Sequence, residues 1–76
     1  MRFFLLVFDR ANRRLVEDVA EFDSSAEALT ARLSREAIER TLGRSNIEVV
    51  VLGAENREDL EKTHSRYFGS PLELAG

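Results

Sequence analysis

The sequence predicts a single α+β domain with the element order ββαβα and a three-stranded antiparallel sheet. Three features carry that expectation. Phe3-Phe4-Leu5-Leu6-Val7-Phe8 is a run of six apolar residues, the length of a strand and too short for a stable helix, and its phenylalanines and valine suit a pleated surface. Ile47-Glu48-Val49-Val50-Val51-Leu52 is β-branched and nearly all apolar, which reads as another strand. Between them, Ser24 and Gly43 punctuate the two ends of a helix.

The first strand spans residues 2–9. It is apolar at both parities, so both of its faces need cover, the mark of a central strand. Asp9-Arg10-Ala11-Asn12-Arg13-Arg14 is polar and turn-prone, and Asn12 is the natural residue for a left-handed position in a hairpin. The second strand follows over 15–22. Pairing Asp9 with Arg13 sets Val7 against Leu15 and Phe3 against Val19, and a slip of one residue would change every pair. Glu17, Asp18 and Glu21 mark this strand as a solvent-washed edge guarded by charge.

A helix is expected over 25–42. Ser24 and Glu27 form a capping box, and Gly43 supplies a left-handed C-cap. Arg32/Glu36, Arg35/Glu39 and Glu36/Arg40 recur at four-residue spacing and read as a solvated face. Ala26, Leu29, Leu33 and Ala37 form one apolar stripe, while Ala31, Ile38 and Leu42 lie nearly opposite. A helix broken near Ser34 would resolve this. The preferred reading is one continuous helix whose second stripe meets a partner or the C-terminal tail.

The third strand covers 47–52. Asn56 then caps a helix over 57–68, which gathers Leu60, His64, Tyr67 and Phe68 on one face before Gly69 and Pro71 end it. A right-handed crossover past the first strand gives sheet order 2-1-3, with both helices on one face, close to half of a ferredoxin-like fold. The third strand is then apolar and unprotected at an edge, a position that normally pairs with something.

Composition bounds the function. A chain of 76 residues builds one small core and is marginal alone. It has no cysteine and no cluster of metal ligands, so association with another subunit is the remaining common remedy. The missing cysteines fit a reducing cytoplasm, and the apolar runs are too short for a signal-peptide core or a membrane span. A formal charge of −3 counts against general nucleic-acid binding.

No constellation of catalytic residues or cofactor ligands emerges. His64 is the only histidine, and with Tyr67 it forms the candidate ligand-binding pair of a small enzyme or binding protein, in a pocket between subunits. Its neighbours Thr63 and Ser65 point elsewhere on a helix and make no nucleophile–base pair. Gly53 follows a strand as phosphate loops do, but one glycine beside Glu55 makes a plain turn the better reading. Arg10, Arg13 and Arg14 could meet phosphate, the basis of a nucleic-acid-contacting alternative. Val49, Val50, Val51, Ile38 and Leu42 are the candidate partner interface.

Val49-Val50-Val51-Leu52-Gly53-Ala54, Leu60 and Thr63-His64-Ser65-Arg66-Tyr67-Phe68, with the opening Phe4-Leu5-Leu6-Val7-Phe8-Asp9-Arg10, resemble short uncharacterised proteins of high-GC actinobacteria. No activity comes with that resemblance. The opening strand also looks like the first strand of YCII-like dimeric α/β-barrel proteins, which implies dimerisation. The expected function is a small cytoplasmic protein–protein interaction domain that self-associates or binds another protein.

Overall fold

A computed structural model of the chain describes residues 1–69. Strand β1 (Arg2–Asp9) runs through the centre of an open antiparallel sheet. Along one side of it lie β2 (Arg14–Leu15) and β3 (Ala20–Phe22), end to end; along the other lies β4 (Ile47–Ala54). Helix α1 (Ser25–Leu42) joins β3 to β4, and α2 (Arg57–Thr63) leads into a single 3-10 turn at Ser65–Tyr67. The α+β class and the central place of the first strand are as the sequence implies, although the sheet has four segments, three strands wide.

Residue parity along β1 sorts the layers. Phe4, Leu6 and Phe8 pack with Ala54, Leu60 and Tyr67 into the main core, with Val50 and Leu52 against it. That is the face of α2. Leu5 and Val7 point the other way and are buried as well, and α1, with Ala28 fully buried, packs on β1 and β4 there. The two helices therefore cover opposite faces, where the sequence reading has both on one. The physical reason is the strand itself: a one-sided arrangement would leave Leu5 and Val7 in water at roughly 25 cal/mol per Å² of apolar surface.

The second strand is not continuous over 15–22. Phe8 faces Leu15 and Asp9 faces Arg14, then the register jumps so that Leu5 faces Ala20 and Phe3 faces Phe22. The expected Val7–Leu15 and Phe3–Val19 pairs do not form. Val16–Val19 bulge out opposite Leu6 and Val7, and this frees Glu17 and Asp18 to stay exposed. An unbroken ladder would turn one of those carboxylates under a helix, where an unpaired charge is costly.

The hairpin turn is also shifted by one residue. Arg13, not Asn12, takes the left-handed conformation, with φ 58°. The Asp9 carboxylate accepts from the N–H groups of Ala11 and Asn12 at 2.9 and 3.2 Å, and the Arg13 N–H donates to the Asp9 carbonyl at 2.7 Å. These bonds hold residues 10–12 in a right-handed turn and push the positive φ onto the next position. A left-handed non-glycine residue costs about 1–2 kcal/mol. Arg13→Gly is therefore expected to stabilise the fold by about 1 kcal/mol, a rise in melting temperature of about 4–8 °C; a calorimetric scan showing no rise would contradict this account of the turn.

Helix α1 is continuous over 18 residues. The Ser24 hydroxyl accepts from the N–H groups of Ala26 and Glu27 at 3.2 and 3.4 Å. At the other end Gly43, φ 70°, donates to the Arg40 carbonyl while Arg44 N–H reaches back to that of Glu39, a Schellman closure. The face that meets the sheet is unexpected. Ala28 and Glu39 are buried, with Ala31 and Arg35 beside them, whereas Leu29 and Leu33 are 46% and 65% exposed.

Helix α2 stops at Thr63, short of the expected 68. Asn56 caps it as predicted, its side chain accepting from Asp59 N–H at 2.8 Å. His64 leaves helical geometry (φ −124°, ψ 47°), and the 3-10 turn that follows sets Tyr67 edge-on to Phe8 with ring centroids 5.0 Å apart. Pro71 and the tail lie outside the described residues.

Candidate functional site

Beginning with the candidate pair, His64 is half-buried at the C-cap of α2, and among the described residues its ring has no hydrogen-bond partner. Tyr67 is buried in the core and donates to Glu48 Oε2 at 2.7 Å. Burial raises the Tyr67 pKa first and the Glu48 bond raises it further, so the phenol stays protonated. Arg66 stacks over the Tyr67 ring at 4.7 Å and lies 3.5 Å from Glu48. These are the contacts of a packed core. Tyr67 lines a shallow cleft with Arg13, Arg14, Leu15, Phe68 and Gly69, and His64 is not part of it.

Of the hairpin arginines, Arg13 and Arg14 share the cleft at Tyr67, and Arg10 is drawn away from them. Arg10 is stitched to the α1–β4 loop: its N–H donates to the Asn46 carbonyl at 2.9 Å and its guanidinium to the Ser45 carbonyl at 2.7 Å. Asp9 anchors the same junction. It also accepts from the side-chain amides of Asn12 at 2.6 Å and Asn46 at 2.9 Å, and these bonds, Asn12 foremost, lower its pKa to about 2. Arg14 lines a cleft that also contains Asp9. The tip thus mixes both signs and makes no continuous basic surface. Gly53 lies inside β4, where a side chain would collide with Met1, so the phosphate-loop position is a strand position.

A charge network sits between α1 and the sheet that the sequence reading assigned to a solvated face. Arg44 grips Glu39 with two bonds of 2.7 Å, and Arg35 adds a third at 2.9 Å while also pairing with Glu17. The bond from Arg44 is the main reason the Glu39 carboxyl titrates below its ordinary range. Beside this network opens a cleft of about 380 Å³ lined by Glu36, Glu39, Arg40, Gly43, Arg44, Ile47 and Val49. Four-residue spacing could reveal Arg35–Glu39; the third partner, Arg44, arrives only through the turn at Gly43.

The open edge is β4. Among the described residues it pairs with β1 alone, along eight residues from Arg2–Ala54 to Asp9–Ile47. The Arg10 N–H bond to the Asn46 carbonyl sets the alternation of the ladder: Glu48, Val50 and Leu52 exchange hydrogen bonds with β1, and Ile47, Val49, Val51 and Gly53 turn their N–H and C=O groups outward. The side chains of Val49, Val50 and Val51 are half-buried, with Val50 against the α2 core and the other two on the α1 face. What this edge offers a partner is therefore backbone. Ile38 and Leu42 are 50% and 58% exposed on α1.

Compared with protein-family models, with curated proteins and with solved structures, the chain finds no match in any of the three. Among the described residues no group of three histidine, cysteine or acidic side chains is placed to hold a metal ion, and no helix is long and apolar enough to cross a membrane.

Proposed function

We propose that this chain is a small cytoplasmic protein–protein interaction domain that works by strand addition at β4, most simply from a second copy of itself. The observation that carries this reading is the eight-residue edge with four residues turned outward. Edges of that kind are normally blunted by lysine, proline or a bulge. Here the sole charged residue on the strand is Glu48, whose carboxylate is engaged by Tyr67 and Arg66. Main-chain pairing supplies affinity in such complexes, and flanking side chains supply the choice of partner.

A ligand-binding reading centred on His64 and Tyr67 has less support, because the phenol is occupied by Glu48 and, among the described residues, His64 does not line the cleft at Tyr67. Contact with nucleic acid through Arg10, Arg13 and Arg14 is weakened by the engagement of Arg10 and by the nearby carboxylates. Sedimentation equilibrium tests the proposal. A dimer is expected at tens of micromolar, and a clean monomer throughout that range would overturn self-association.

A further inference from the structure

We infer that β4 and one flank of α1 form a single two-fold interface, so that pairing β4 with the β4 of a second copy also packs α1 against its mate. The inference rests on the self-association reading and specifies its surface. Two independent features meet in it.

The first is the register available at the edge. Ile47, Val49, Val51 and Gly53 face outward, and an antiparallel pairing uses all four on both copies only when Val50 lies on the two-fold axis. Ile47 then meets the second copy's Gly53, and Val49 meets its Val51. Any other register strands at least one outward residue on each copy. Such a pairing joins the two sheets into one, with both α1 helices on the same face.

The second is the flank of α1 that overhangs this edge. Glu36 and Arg40 line the cleft above Ile47 and Val49, which identifies the side of the helix lying toward the free edge. Leu29 and Leu33 stand seven residues before Glu36 and Arg40, two helical turns away on the same line. Both leucines are thus aimed across the two-fold axis, which accounts for their exposure. Position along the helix agrees. Val50 lies about 10 Å beyond the start of β4 at roughly 3.3 Å per residue. The same distance back from Leu42 covers about seven helical residues at 1.5 Å each, which falls within a turn of Leu33.

The contact this builds is complementary. The antiparallel helices meet Leu33 to Leu33, and the second copy's Leu29 comes to the mouth of the cleft between Glu36, Arg40 and Val49. Arg32 and Glu36, 3.5 Å apart within one chain, face the same pair in reverse order and can exchange partners. Helices packed this way approach to about 8–10 Å between axes, and facing Cα atoms come within reach of a disulfide.

The chain has no cysteine, so a single introduced thiol reports without background. Leu33→Cys is expected to give a covalent dimer on mild oxidation of the folded protein, and Ile38→Cys, on the opposite flank of α1, is expected to remain monomeric on a non-reducing gel. Leu33 is exposed, so this change leaves the fold intact, which circular dichroism checks. Preferential cross-linking of Ile38→Cys overturns the inference. So does a dimer by sedimentation in which Leu33→Cys stays unlinked, and in that case self-association itself survives. A monomer by sedimentation overturns both.

Discussion

Leu60→Ala is expected to leave the chain largely unfolded at 37 °C. Leu60 is fully buried, and it is the residue of α2 that enters the cluster formed by Phe4, Leu6 and Phe8. Truncating a buried leucine costs about 2–5 kcal/mol, the upper values arising where surrounding structure cannot close the gap. Here the gap has little chance to close, since the sheet on one side is rigid and Tyr67 is pinned by Glu48. A core of this size without disulfide or metal provides only about 3–5 kcal/mol, so one truncation consumes most of it. The change also releases a seven-residue helix that is too short to persist alone. Urea unfolding followed by circular dichroism would show the loss directly; a midpoint within the error of the unaltered protein would mean that α2 contributes little.

Val51→Pro is expected to dissociate the proposed dimer with a smaller effect on the fold. The Val51 N–H faces outward, so losing it leaves the ladder to β1 intact, and proline is tolerated at edge positions of this kind. In a two-fold pairing each copy loses one donor, two bonds in all. At a net 0.5–1.5 kcal/mol per bond, association weakens by about 5- to 150-fold, before any steric obstruction by the ring. The contrasting change is Val50→Pro, whose N–H is spent on β1, and which should destabilise the monomer itself. If Val51→Pro sediments with the dissociation constant of the unaltered protein, strand addition at β4 is not how the copies meet.

These two expectations rest on different levels of information. The existence of β1, α1 and β4 and the central place of β1 follow from local signals: an apolar run of strand length, a serine cap with a glycine stop, and a β-branched run. Such signals are properties of a few adjacent residues, and neighbouring chemistry reinforces each of them. The placement of the helices did not follow from the same reasoning, although β1 carried the clue. Its apolar residues at both parities demand two covers, and a chain with two helices can satisfy that demand only by placing one on each face.

The face that α1 turns inward was beyond sequence periodicity. Read alone, Ala26, Leu29, Leu33 and Ala37 are the stripe to bury. The tertiary structure buries Ala28 and Glu39 instead, because small residues let the helix approach the sheet closely and because Arg44, brought back by the turn at Gly43, neutralises Glu39 together with Arg35. Arg44 lies outside the helix, so no helical spacing contains this triad. The bulge at Val16–Val19 has the same origin. It answers to the demand that Glu17 stay in water and reach Arg35, a residue eighteen positions away. Local propensity and burial pattern thus determined which elements form and which strand lies at the centre. Only long-range contacts between charges, and the requirement that both faces of β1 be dry, decided how those elements face one another and left Leu29, Leu33 and the β4 edge turned outward.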